Sequence, residues 1–329
     1  MNAPAAEKLR GEARRLQAAA ASLGLPLPTP SPLQLAEGLP APWSRARLWV
    51  KRDDLLGTGG TKVRKLAHAL AAAKAAGAQT VLTFGHLDSN HALATARAAR
   101  AAGLRTELWL QERSADELPE RRRAMAEAAE RVTYRRGTVG LVLGAAGSFA
   151  AAAVRGRPPW VMLPGGTSPA TSAAVAPLVL EVVEQLAVLG EPLPPRWAVA
   201  VGSGGTLAGL WAGVRGLGLP VRLVAFHASD PWLTRRSLVA ALANAALDRL
   251  DLPGHVGADE IELSAAQFGP GHGVPTEASR RAREEWAAAG LPLDPTYGAK
   301  AAAGLREAIE RGPEGDRWLF VSTGTQVGP

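Results

Sequence analysis

From residue 62 onward the chain alternates short apolar runs with helical stretches, and that alternation limits the fold more than any other feature. Residues 62–76 have a helical pattern closed by Gly77, and residues 80–84 read as a short apolar strand. A loop over 85–90 hands over to a helix at 91–102, closed by Gly103, and 106–110 is the next strand. The pattern continues with a strand at 132–134, a helix at 141–154 and a strand at 160–163. After PGGTSP (164–169), read as a crossing point between domains, comes one long helix over 170–189. Strands at 197–201 and 221–226, a helical stretch to 251, helices at 278–289 and 299–311 and a strand at 318–322 complete the series. Strands separated by helices at this spacing predict an α/β protein with parallel sheets flanked by helices. Ahead of the series lie an amphipathic helix (4–23, with Leu9 and Leu16 on one side), a proline- and glycine-rich connection (24–42) and a strand (47–51).

Composition removes several functions. A chain of 329 residues can bury a large core in one or two domains. The net charge of +7 raises the question of nucleic acid, but the arginine clusters at 121–123, 135–136 and 235–236 are scattered and aromatics are only 5%. A solvated basic surface that attracts an anionic substrate or cofactor is the better reading. With no cysteine, disulfides, thiolate metal sites and a cysteine nucleophile are all excluded. The six histidines form no HExxH pattern, so no metal centre is expected, and there is no G-x-S-x-G elbow. Neither a signal peptide nor an apolar run long enough to span a bilayer is read, which makes the cytoplasm the expected location and a membrane partner unexpected.

Three stretches could carry chemistry. The first is KRDDLLGTGGTKVRKL (51–66), where glycines precede Thr61 and Lys62 and leave room for a flat ligand. A lysine in such a pocket becomes a nucleophile or Schiff-base partner; the competing reading is a surface turn before a basic helix. The second is GHLDSNH (85–91), at a strand-to-helix junction where open α/β sheets bind ligands. There Asp88, Ser89 or Asn90 could equally serve as a helix cap, and His91 reads as a surface residue rather than a general base. The third is GSGGT, comprising Gly202, Ser203, Gly204, Gly205 and Thr206, which follows an apolar strand and opens a helix. Its backbone N–H groups suit a phosphate. A dinucleotide site is disfavoured because Leu207 stands at the third glycine position and Phe226 and His227 stand where an acid belongs.

Together these stretches resemble the family of 1-aminocyclopropane-1-carboxylate deaminases and D-cysteine desulfhydrases. The resemblance runs from about Pro28 to the carboxyl terminus and also takes in GHGVPTEA (271–278), DPTYGAKAAAGL (294–305) and FVSTGT (320–325). It implies the two-domain, tryptophan synthase beta-like fold type II of pyridoxal 5'-phosphate enzymes. A small domain over 59–163 and a large domain of 1–58 with 164–329 would hold the cofactor in the cleft between them. In the family's GGNK, Thr61 replaces the asparagine, and Lys62 is the lysine that carries the cofactor; the paired glycines before it favour Lys62 over Lys65. Asn90 would bond the cofactor's phenolic oxygen, and GSGGT would hold its phosphate. Ser89 would meet substrate, with Asp88 where the family has glutamine. Tyr297 matches the active-site tyrosine, and Thr323 would contact the ring nitrogen as a neutral hydroxyl. Gly298 takes the place of the deaminases' glutamate, and His272 that of a second tyrosine. His91 and His272 join Ser89, Asn90 and Tyr297 in the substrate-binding set.

The implied chemistry is deamination of a small amino acid, with Lys62 as base. A neutral Thr323 and the absence of an acid at 298 favour a D-cysteine-like β-elimination that gives keto acid and ammonia. Cyclopropane ring opening and a non-catalytic cofactor-binding role are the alternatives. A homodimer is expected.

Overall fold

The computed structural model describes residues 1–25, 27, 29–57, 59–87, 89–112 and 119–324. Pro28, Asp88 and Thr325, which figure in the sequence reading, lie outside them. The chain opens with α1 (Ala3–Ser22), β1 (Leu33–Leu35) and β2 (Ala46–Arg52). Next come α2 (Lys62–Ala75), β3 (Thr80–His86), α3 (Asn90–Ala101), β4 (Arg105–Gln111), α4 (Pro119–Ala128), β5 (Arg131–Arg135), α5 (Thr138–Val154) and β6 (Trp160–Met162). Helices α6 (Pro169–Ala173) and α7 (Pro177–Val188) precede β7 (Arg196–Val201), α8 (Gly205–Gly216), β8 (Arg222–His227) and α9 (Arg236–Arg249). The last elements are β9 (Glu262–Ser264), α10 (Glu277–Ala288), α11 (Gly298–Arg311) and β10 (Asp316–Ser322).

Two sheets result, one ordered β1-β2-β10-β7-β8-β9 and the other β5-β4-β3-β6. Every pairing is parallel except β1 with β2. That exception lies in the proline-rich stretch read as a plain connection, where Leu33 pairs with Lys51 at the sheet edge. Side chains on β7 alternate as a doubly covered sheet requires. Trp197, Val199 and Val201 pack toward α7, α8 and α9, while Ala198 and Ala200 pack with Trp286, Leu305 and Phe320 on the other face. The four-stranded sheet is covered the same way: Val81 packs with Leu66 and Leu70 of α2, whereas Leu82 and Trp109 pack with Leu141 of α5.

The single long helix expected at 170–189 is two helices. Pro177 has no N–H to give the preceding turn, so α6 ends at Ala173 and the chain restarts at Pro177. Taken together, Pro169–Val188 is long and apolar enough to cross a membrane, contrary to the sequence reading. Most of it (72% of the apolar window) is buried inside the protein, as core helices are.

Because the strands are parallel, their carboxyl ends point the same way within each sheet, and the segments that follow them collect on one side. The turns after β3, β6, β7, β8 and β10 build the site.

Candidate active site

Helix α2 begins at Lys62, and its spacing sorts its cations. Lys62 and Lys65, three residues apart, share one face, and Arg64 points elsewhere. Arg64 is 1% exposed and reaches two carboxylates. Its Nε and Nη2 donate to Asp53 at 2.9 Å each, and its Nη1 donates to Glu181 at 2.6 Å. Lys51, fully buried, donates to Glu181 at 2.8 Å and to the Ser31 carbonyl at 2.7 Å. Burial alone would push Asp53 and Glu181 up, but Arg64 outweighs it and holds both carboxyls below their usual range. The KRDD stretch is therefore the clamp that fixes the start of α2, with Arg52 turned onto Asp54 at 2.8 Å.

The lysine face is different. Lys62 Nζ lies 5.4 Å from the centre of the Tyr297 ring, and burial lowers its pKa against the pull of Asp294. Lys65, 4% exposed, is lowered by burial and by Lys62 to about 7. A Cβ on Gly205 would stand 2.9 Å from Lys65 Nζ and 2.7 Å from Thr167 Oγ1. Lys65 thus looks into the GSGGT turn.

That turn is built for close approach. Gly204 adopts φ +85°, which side-chain-bearing residues rarely enter, and starts α8, so N–H groups without intrahelical partners face outward. Ser203 Oγ is 2.7 Å from Thr167 Oγ1 of the PGGTSP segment, and Thr234 Oγ1 bonds the Gly202 carbonyl. PGGTSP, read from sequence as a domain crossing, is the second wall of this cradle. Ser229 Oγ, buried and without a partner among the described residues, would be 3.4 Å from a Cβ on Gly202. The same Cβ would be 3.0 Å from Tyr297 Cε1, so the tyrosine borders the cradle.

Ser89 is the cap of α3, accepting from the Ala92 N–H at 3.2 Å. Asn90 follows it and accepts from Arg121. His91 is not at the surface, as the sequence reading had it, but 5% exposed. Thr83 Oγ1 donates to the Met162 carbonyl at 2.9 Å and so accepts from His91 Nε2 at 3.1 Å, while His91 Nδ1 lies 3.4 Å from Thr95 Oγ1. Burial and the charges of Lys62 and Lys65 lower this histidine to about 3, so it is a neutral wall beside Gly166.

Asp294 gathers the N–H groups of Thr296, Tyr297 and Gly298 at 3.1, 2.7 and 2.7 Å and so fixes the start of α11. Burial raises its pKa against those bonds and the Lys62 charge. Thr323, 9% exposed, follows β10, and its carbonyl accepts from the Thr61 N–H at 3.1 Å, beside Lys62. His272 stacks edge-on to Tyr297 with centroids 5.8 Å apart. The sequence reading gave no role to Lys65 beyond rival, and none to Thr167, Ser229, Asp294 or His86, although of these only Ser229 lies outside the stretches singled out there. A surface cavity of about 520 Å³ lined by Trp211, Arg215 and Arg222 lies at the other end of α8. Its arginines are paired with Glu260 and Glu262.

Comparison with known proteins identifies the family. Residues 25–324 match the family described as pyridoxal-phosphate dependent enzyme. A putative 1-aminocyclopropane-1-carboxylate deaminase of Pyrococcus horikoshii is 32% identical over 284 residues, covering 85% of this chain and 84% of its own. D-cysteine desulfhydrase of Salmonella typhi is 31% identical over 297 residues, covering 84% and 86%. The crystal structure of an ACC deaminase homologue superposes with a TM-score of 0.76 at 31% identity, covering 93% of this chain and 94% of that one. O-ureido-L-serine synthase, with a TM-score of 0.63 at 19% identity over 90% and 89%, shares the fold. The chain belongs to the pyridoxal-phosphate dependent enzymes of fold type II, in the group that holds the deaminases and desulfhydrases, and its cofactor is pyridoxal 5'-phosphate.

Proposed function

We propose that the protein is a lyase that eliminates a β-substituent from a small amino acid, in the manner of a D-cysteine desulfhydrase, and releases keto acid and ammonia. The residues present fit the cofactor: a glycine cradle with outward N–H groups, the Ser229 hydroxyl without a partner among the described residues, and the half-buried Lys62 beside the buried Lys65, both with lowered pKa. Bound there, the cofactor supplies an electron sink for the substrate's α-carbon. Lys62 holds the cofactor and, with its lowered pKa, takes the α-proton. The N–H groups of residues 202–206 and the Lys65 amino group would hold the phosphate, with Ser203 and Thr206 assisting. Asn90 would orient the ring, Thr323 would meet its nitrogen, and Ser89, His91, His272 and Tyr297 would line the substrate side.

The observation that carries elimination over ring opening is that, among the described residues, the acid beside Gly324 is Asp294, which is engaged by helix N–H groups. Position 298 is glycine, and a Cβ there would stand 2.9 Å from Asp294 Oδ2. Both Asp294 oxygens already accept helix N–H groups. A neutral partner leaves the sink weak, which suffices when a good leaving group departs from the β-carbon. A side-by-side assay tests this: thiol or chloride release from β-substituted alanines is expected, with little ketobutyrate from the cyclopropane amino acid. Faster ketobutyrate release would make ring opening the function.

The two sheets support the division proposed from sequence, residues 59–163 against 1–58 with 164–329, and limited proteolysis that frees no such fragment would count against it. Helix α5 carries no charge and exposes Val139, Val142 and Leu143, which supports a homodimer across that face. Light scattering on Leu143→Glu should show a monomer; an unchanged mass would place the contact elsewhere. A cytoplasmic location, with no nucleic-acid or membrane partner, completes the reading, and cell fractionation checks it.

A further inference from the structure

Two imidazoles meet beside Tyr297, and they come from different parts of the chain. His86 ends β3 in the four-stranded sheet, and His272 lies between β9 and α10. Their ring centres are 6.3 Å apart with planes inclined at 36°. His272 Nδ1 is 2.9 Å from the Ala228 carbonyl oxygen. A carbonyl only accepts, so Nδ1 carries a proton, and in the Nδ1–H tautomer Nε2 is left as an acceptor. The segment that carries His272 is also pinned. Lys300, fully buried on α11, donates to the carbonyls of Phe268 and Gly271 at 2.6 and 2.8 Å. Tyr297, which adjoins the same helix, borders the glycine cradle and Lys62. His272 is thereby held at a fixed place relative to the reacting region.

We propose that His86 and His272 form a specificity pair that reads the substrate's β-substituent and favours thiol or hydroxyl over alkyl. This rests on the function proposed above, since it presumes a small amino acid beside Lys62. The physical reason is asymmetric. A β-substituent that donates a hydrogen bond to His272 Nε2, on the ring against which His86 packs, replaces the water that nitrogen loses, whereas a methyl group strips that water and returns nothing. Sites built around such polar groups discriminate strongly against analogues that lack them.

Two measurements test the pair. Long-range proton–nitrogen NMR on the apoprotein should find His272 in its Nδ1-protonated form; an Nε2-protonated neutral ring would overturn the geometry. In the holoenzyme, the visible band of the cofactor is titrated with serine and with alanine of whichever enantiomer shifts it. His86→Ala and His272→Gln, each checked for an unchanged melting temperature, should each reduce the preference for serine by about tenfold. The double variant should lose less than the product of the two. A shifting band with the preference intact in both single variants would overturn the pair alone. A band in the unsubstituted chain that responds to no amino acid would overturn the proposed function with it.

Discussion

Helix α2 carries two kinds of buried cation within four residues, and their different surroundings separate scaffold from chemistry. Arg64 and Lys51 face Asp53 and Glu181, two cations against two carboxylates, and each carboxylate is held ionised. Lys65 is buried next to the half-buried Lys62, and only Asp294, tied up by helix N–H groups, pulls on Lys62. Desolvation is common to both regions. What differs is compensation: Arg64 and its two carboxylates keep their charges and burial of Lys51 is opposed by Glu181 and Asp53, whereas Lys62 and Lys65 are pushed toward neutral amines with less to oppose burial. A neutral amine can act as nucleophile or base, and a vacant positive site favours an anion.

The comparison can be broken most sharply at Lys62. Lys62→Ala should cut turnover by at least the roughly 10²- to 10⁴-fold that a positioned base contributes, with the fold intact. Steady-state rates with circular dichroism on the same preparation would check this, and Lys65→Ala should retain covalent cofactor. In the compensated region the loss should be stability instead. Glu181→Gln leaves Arg64 and Lys51 short of a charge, and urea unfolding should show a loss of about 3–5 kcal/mol.

The cradle gives a smaller and graded effect. Ser203→Ala should weaken cofactor binding by about 1–3 kcal/mol, because one charge-assisted bond is lost. Gly204→Val should weaken it more, since its Cβ would enter a φ of +85° against Thr234 and Val239. Cofactor titration of both variants would show the order, and a Gly204→Val chain that binds normally would place the phosphate elsewhere.

The smallest effect concerns pH. Lys65 has a folded pKa of about 7 against an ordinary value of 10.5, so the unfolded chain binds more protons between those values. Stability of the apoprotein should therefore rise as pH increases from 7 toward 10.5, by at most about 1.4 kcal/mol per unit from this group. Lys65→Met should flatten that slope, as thermal melts across the range would show. The Lys51 region should contribute less, because Glu181 and Asp53 oppose the effect of burial there.

What could be read from sequence was what neighbours in sequence decide. GSGGT declares a tight turn at a helix start, and the alternation of strands and helices declares parallel sheets, because both are properties of a few adjacent residues. The part PGGTSP plays in the cradle was not legible because its partner, Ser203, is distant in the chain and only the fold brings Thr167 to it. His91 was placed at the surface because nothing nearby announces Thr83 and Met162 closing over it. The KRDD stretch looked like part of the site, but its charges find Arg64 and Glu181, the latter on a helix far along the chain. GHLDSNH and GHGVPTEA each hold one of the two histidines, but His86 and His272 meet only through packing of separate elements, so neither stretch announces the other.

The claim that uncompensated burial marks the cofactor lysine is tested most directly by reducing the holoenzyme with borohydride and mapping the labelled peptide. The account predicts a pyridoxyl group on Lys62 and none on Lys51 or Lys65. A label on Lys65, or on the charge-compensated Lys51, would contradict it.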